Sequence, residues 1–534
     1  MGAMRAPTPL TSTRLPQLSE LRFGAAFASA LPADPVTANH PRPVSGAAYT
    51  RVEPTPVAAP RLLAWSDDLG ELLGVARPAA TGTVADALAG NRLLPGMEPY
   101  AARYGGHQFG HWAGQLGDGR AITLGDIEGT NGSRYELQLK GAGRTPYSRT
   151  ADGRAVLRSS LREFACSEAM HWLGIPTTRA LSLVATGESV IRDMFYDGNP
   201  APEPGAVVCR VARSFVRFGN FQILAAARED GTLRQLADHV MREHYPGVSS
   251  YEALFAEVCR RTARLLVDWM RVGFVHGVMN TDNMSVLGET IDYGPYGWLE
   301  GYDPMWTPNT TDAPTLRYTY GNQPGIAQWN LARFGEALLP LVRDPAPLEA
   351  ALKEYADLFN AGWRQAIAAK LGLASLDRPG DEELMNELFV ALQQEETDFT
   401  IFFRRLVDLT LDESRDVDLL GTVKDSFYSD ENEGKRSVMG AWLRRYADRV
   451  RSEGRDEEER RAAMNAVNPK YVFRNYLAQN AIDALAQGDA SVLEELMNVL
   501  QRPFDEQPGR ERFAERRPEW ARRKAGCSAL SCSS

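Results

Sequence analysis

The chain has 534 residues, of which 44% are hydrophobic and 24% charged, and it carries a formal net charge of −10 at pH 7. These values describe a globular protein with core for roughly two to four domains, and the acidic balance argues against nucleic-acid binding, whose usual footprint is basic. No run approaches the roughly 18 consecutive apolar residues of a membrane span. No charged-then-apolar leader stands at the N-terminus, and Ala6 occupies the position where a myristoylation signal has Ser or Thr. The expectation is a cytoplasmic monomer with neither membrane nor nucleic-acid partners. Cys166, Cys209, Cys259, Cys527 and Cys532 are too few and scattered for a secreted disulfide framework.

Residues 1–60, rich in Pro, Thr and Ala, predict a segment that wraps the fold or is partly disordered. Residues 61–74 have helical spacing. Residues 103–127 read as strand, glycine-rich turn, strand, with Gly114, Gly117 and Gly119 in the turn and Arg120 after it. Such a turn either only joins two strands or lets backbone N–H groups approach phosphate oxygens. His107 and His111 lack a third ligand and read as polar turn residues. In 134–140, Tyr135, Leu137 and Leu139 alternate with Glu136, Gln138 and Lys140, the period of a half-buried strand that Lys140 closes. The next helix carries Glu163. Residues 180–193 and 205–221 continue as strands across a Pro-rich loop at 200–205. Arg210, Arg213 and Arg217 there fit either a solvated edge or a polyphosphate clamp.

An amphipathic helix over 251–275 delivers His276 and the stretch HGVMNTDNMSVLGETIDYG. Asp282-Asn283 and Asp292-Tyr293-Gly294 bring carboxylates and a carboxamide onto two neighbouring turns. This suits a hard cation bridging to phosphates. Protein kinases assemble their metal site from the same parts, an Asn on the catalytic loop and the Asp of D-F-G. The kinase catalytic Asp, however, is replaced by Val278. Asp282 is then the one carboxylate on that loop able to accept a proton. A Trp- and Pro-rich loop follows, then helices over 326–342, 349–371, 382–409, 434–452 and 471–485. The acid–base run at 452–463 reads as a solvated helical face. The tail GCSALSCSS holds Cys527 and Cys532, either redox-active or incidental.

The order of these parts predicts an α+β, kinase-like two-lobe fold with a small antiparallel sheet in the N-lobe and a mainly helical C-lobe. The divisions expected are 1–60, an N-lobe over 61–225, a C-lobe over 226–380, a helical extension over 381–520 and a tail over 521–534. ATP with a divalent metal is implied, and the reaction is transfer of part of a nucleotide to a hydroxyl.

The motifs YGGHQFGHWAGQLGDGR, ELQLKGAGRTPYSR, DGRAVLRSSLREF, VRFGNF and HGVMNTDNMSV…IDYGP together resemble the selenoprotein O (YdiU) family, across residues from Arg51 to beyond Lys470. The resemblance implies a kinase-fold protein adenylyltransferase that binds ATP inverted. It would transfer AMP to Ser, Thr or Tyr hydroxyls of proteins and release pyrophosphate. It implies nucleotide contacts at Gly117, Gly119, Arg120, Lys140, Asp152, Gly153, Arg210, Arg217 and Asp292. Asp282 becomes the proton acceptor, Asn283 and Asp292 the ligands of Mg²⁺ or Mn²⁺, and Glu163 the partner of Lys140. UTP as donor stays open. Family members often end in C-x-x-C; here Cys532 fits the second position, Ala529 stands at the first, and Cys527 lies two residues away. The rival readings are a kinase-type phosphotransferase and a non-catalytic ATP-binding scaffold.

Overall fold

The period-two pattern of the first half of the chain resolves into strands, most of which join one sheet. The computed structural model describes residues 15–194, 197–411, 416–429, 433–527 and 529–531. Its strands begin with β1 (Tyr49–Arg51), β2 (Arg61–Trp65), β3 (Tyr100–Ala102), β4 (Gly105–Gln108) and β5 (His111–Gln115). They continue with β6 (Ala121–Glu128), β7 (Arg134–Lys140), β8 (Arg179–Arg192) and β9 (Ala201–Ala212). Seven form a sheet in the order β1-β3-β6-β7-β9-β8-β2, antiparallel at every pairing. The hairpin β4–β5 stands apart as its own ribbon. In the sheet Gln138 lies opposite Arg210 and Lys140 opposite Val208, so the cations of β7 and β9 reach the same end.

Three short helices, α1 (Ala26–Ala30), α2 (Asp67–Leu73) and α3 (Thr83–Ala89), pack around this sheet, and α4 (Leu157–Trp172) crosses it. The chain then turns helical: α5 (Phe218–Ala226), α6 (Asp230–His244) and α7 (Tyr251–Arg271) precede the two-residue pair β10 (Phe274–Val275) and β11 (Gly297–Trp298). After these come α8 (Gln323–Leu338), α9 (Ala346–Lys370), α10 (Asp381–Gln394), α11 (Phe399–Leu406) and α12 (Asp416–Val423). The last are α13 (Glu433–Arg451), α14 (Glu457–Val467), α15 (Asn475–Ala486) and α16 (Ser491–Leu500). This is an α+β, kinase-like arrangement of a sheet lobe and a helical lobe. Among the described residues no helix is long and apolar enough to cross a membrane.

Several boundaries differ from the sequence expectation. Residues 61–65 are strand rather than helix, because they pair with β8; the helix begins only where Ser66 Oγ accepts from Leu69 N. The Pro-rich loop is partly strand, with Ala201–Pro204 pairing β8. The stretch 382–409 divides into α10 and α11 because Asp398 caps a new helix by accepting from Ile401 N. The acid–base run forms α14, whose face is not wholly solvated: Arg460 and Met464 are buried. Before residue 60, Leu18, Phe23 and Phe27 are buried and β1 edges the sheet.

Helix α4 is enclosed on all sides. One face lies on β8 and β9, another against α15 and α16, and nearly every residue from Leu157 to Met170 is buried. Arg162 donates to Tyr296 O at 2.9 Å and to Asn475 Oδ1 at 3.3 Å, with its guanidinium 4.3 Å from the Tyr296 ring centroid. Asn475 donates in turn to Cys527 O at 3.0 Å. The C-terminal helices thereby hold the helix that bears Glu163.

The starts of α11 and α15 are tied together by a fully buried pair, Arg474 and Asp398, at 2.8 Å. Breaking one side of such a pair strands a charge in low dielectric. Arg474→Met is expected to cost about 3–5 kcal/mol of unfolding free energy, read by denaturant titration, and Asp398→Asn on that background should return most of it.

Candidate active site

Between the sheet and the loop after β10 lies a cavity of about 220 Å³ lined by Lys140, Arg210, Asp282, Asn283 and Asp292, among others. Lys140 Nζ sits 2.6 Å from Glu163 Oε2 on α4 and 3.5 Å from Asp292 Oδ1. Arg210, from β9, and Arg217, which opens α5, each close on a different oxygen of Asp292. Arg210 also reaches Glu163 Oε1 at 3.1 Å. Both arginines are about 98% buried, so neither belongs to a solvated sheet edge; Arg213 alone of the three is exposed. Burial would raise the Asp292 pKa, but Arg217, Arg210 and Lys140 hold it well below the usual carboxylate range. Asp292 has φ +58°, a left-handed conformation that a non-glycine residue adopts at a cost of order 1–3 kcal/mol. Such strain is concentrated at functional sites.

The catalytic-loop position of Val278 is filled by its side chain, which lines the cavity, while its carbonyl accepts from Asn283 Nδ2 at 2.9 Å. That bond leaves the Asn283 carboxamide oxygen uncommitted among the described residues. Asp282 makes no ion pair among the described residues. Burial pushes its carboxyl up to about 6, against the hydrogen bond from Gln108. His276 is a structural residue, buried and placed 2.9 Å from Ile291 O, which ties the two turns together.

A second cavity of about 630 Å³ adjoins the first and shares Arg120 with it. Gly117, Gly119, Asp152 and Gly153 line it, together with Arg144 and Arg149. Gly117 has φ +102°, and a Cβ there would fall 2.4 Å from the Tyr147 ring, so the turn can pass this close only without a side chain. Asp152 is paired with Arg192 at 2.7 Å at the rim.

Sequence reasoning missed the residues that back the first row. Asp118, between the two turn glycines, is buried; it accepts from Ala102 N at 3.0 Å and Gln138 Nε2 at 3.3 Å, and lies 4.0 Å from Arg217. Gln138 in turn accepts from Arg210. Tyr104 lies beneath the Arg217 guanidinium at 4.5 Å. The signal was a carboxylate inside a glycine turn already singled out. His107 packs on Trp112 and Trp329 rather than joining His111. Cys527 is buried, its thiol pushed up to about 11 by burial; Cys532 lies outside the described residues.

Residues 40–501 match the family described as Protein adenylyltransferase SelO. The chain belongs to the SelO family. It is 60% identical to the "Protein nucleotidyltransferase YdiU" of Nitrosospira multiformis, over 97% of this chain and 98% of that one. It is 56% identical to the protein of the same description from Azoarcus sp., over 96% and 99%. Like the SelO family as a whole, the chain is a nucleotidyltransferase. Among solved structures, ROP2 from Toxoplasma gondii, described as having a protein-kinase fold and no enzymatic activity, covers 55% of this chain and 83% of its own. Its TM-score of 0.24 at 13% identity is too low to bear on fold or function.

Three cations share one carboxylate in this site, so removing that carboxylate leaves them facing one another. Asp292→Asn is expected to lower unfolding free energy by about 3 kcal/mol. Metal-free tripolyphosphate should restore most of the loss in a thermal shift experiment, by supplying the missing anion.

Proposed function

We propose that this SelO-family nucleotidyltransferase moves AMP from ATP to Ser, Thr or Tyr hydroxyls of other proteins, with release of pyrophosphate. The observation that carries the reading is the pairing of Val278 with Asp282. The carboxylate is absent where a kinase would take the acceptor proton, and a buried one, free of ion pairs among the described residues, stands four residues on. In this reading Lys140, Arg120, Arg210 and Arg217 receive the phosphates, and cations fixed before the reaction stabilise charge that develops on the leaving pyrophosphate. Asp282 takes the acceptor proton as the hydroxyl oxygen forms its bond to the α-phosphorus. The bond from that phosphorus to the bridging oxygen breaks, and its electron pair leaves with pyrophosphate. A carboxyl near 6 is ionised at neutral pH yet basic enough to hold the proton.

The donor set suits a divalent metal. Asn283 and Asp292 offer hard oxygens to one cavity, and among the described residues no three His, Cys, Asp or Glu side chains converge as a self-sufficient cage. That is the pattern of Mg²⁺ or Mn²⁺, held by one or two protein oxygens and completed by substrate phosphates. Asn283 and Asp292 would hold it, and bound there it supplies neutralisation of phosphate charge.

The nucleoside end of the donor falls to the second cavity, where Gly117, Gly119, Asp152 and Gly153 are gathered. Cytoplasmic protein acceptors complete the proposal.

The test is incubation with a protein acceptor and ATP labelled at the α- or, in parallel, the γ-phosphorus. Label should pass from the α position only, and Asp292→Ala should abolish it; transfer from the γ position would make the enzyme a kinase. Asp282→Asn should lower kcat by roughly 10²- to 10⁴-fold with the KM for ATP within about threefold of wild type.

A further inference from the structure

The hairpin β4–β5 supplies no cation or metal ligand, yet it is pinned onto the loop that bears Asp282. His107 N donates to Thr281 Oγ1 at 2.7 Å, and that hydroxyl donates on to Gln222 Oε1 at 2.6 Å. Gln222 Nε2 lies 3.4 Å from His107 Nδ1, closing a ring through hairpin, loop and α5. At the turn, Phe109 N donates to Asn280 Oδ1 at 3.1 Å and to Tyr318 Oη at 3.0 Å.

This clamp treats the two oxygens of Asp282 differently. The backbone of Gly106 passes over Oδ1 so closely that a Cβ there would fall 2.5 Å from it. Oδ1 is buried and, among the described residues, accepts no hydrogen bond. Oδ2 accepts from Gln108 Nε2 at 3.2 Å, and Gln108 lines the catalytic cavity. The terminal torsion of an aspartate is broad and nearly two-fold, so without a partner the carboxylate would sample many orientations.

We infer that Gln108 is a positioning residue that fixes Oδ2 of Asp282 as the oxygen that receives the acceptor proton, while the hairpin backbone at Gly106 seals off Oδ1. The inference rests on the assignment of Asp282 as proton acceptor proposed above. A carboxylate oxygen carries two lone pairs, so Oδ2 accepts from Gln108 and keeps a second direction for the acceptor O–H. As the hydroxyl oxygen bonds to phosphorus, its O–H bond breaks and an Oδ2–H bond forms. Holding the base in one orientation raises the fraction of encounters that are productive without touching the nucleotide.

Two variants test this. Gln108→Met keeps the length of the side chain and removes the donor; Gln108→Glu puts an acceptor in its place. Each is assayed for AMP transfer to a protein acceptor, with kcat and the KM for ATP measured separately, alongside its thermal midpoint and Asp282→Asn. Both should lose roughly 10- to 100-fold in kcat, the range for partners that orient a reactive group, with KM within about twofold and an unchanged midpoint. In the Asp282→Asn background, Gln108→Met should cause no further loss, since the two residues act as one unit. A kcat within about twofold of wild type, or a loss that follows a fall in midpoint or a rise in KM, would overturn the inference. Full activity of Asp282→Asn would instead overturn the assignment of the base and the inference with it.

Discussion

Everything in the site depends on one carboxylate shared by three cations. Asp292 stands against Lys140 and the buried guanidinium groups of Arg210 and Arg217. Charges taken out of water persist only when paired and hydrogen-bonded. The remaining acids, Glu163 and Asp118, complete the balance from behind. The cluster is therefore organised by its own ion pairs, and its cations are held in place rather than left as flexible surface arms. The same demand explains why the residue that gathers them tolerates a left-handed backbone.

Each member of that cluster comes from a different element, and the fold can be read as the means of bringing them together. Adjacent strands β7 and β9 set Lys140 beside Arg210. Arg217 N donates to Asn220 Oδ1 where α5 starts, and the Arg217 guanidinium reaches Asp292 and lies over the Tyr104 ring. The pair β10–β11 and the bond between His276 and Ile291 O join the two turns of the C-lobe. Loss of register in any of these would separate charges that burial forbids to stand alone.

Much of this was legible in the sequence. The strand ending at Lys140, the helix bearing Glu163 and the two turns at 282–283 and 292–294 follow from period and residue type, because each rests on local rules. The order of these parts gave the two-lobe fold. What sequence did not reveal depends on distant pairing. Residues 61–65 carry helical spacing but are claimed by β8, and Asp398 divides what reads as one helix. Asp118 and Gln108 were likewise hidden. A carboxylate in a glycine turn and an amide in a hairpin carry no periodic signal, and their importance appears only when Arg217 and Asp282 arrive beside them.

The burial of α4 has a further consequence. In protein kinases the position of the corresponding helix decides whether the Lys–Glu ion pair is formed, and activity is controlled by moving it. Here that helix is walled in by the sheet on one side and by α15 and α16 on the other, and Arg162 is bonded to both Tyr296 and Asn475. An outward swing would have to tear open a hydrophobic core and leave a buried guanidinium unpaired. The Lys140–Glu163 pair is thus a constitutive part of the scaffold, and the switch most familiar from this architecture has been welded shut.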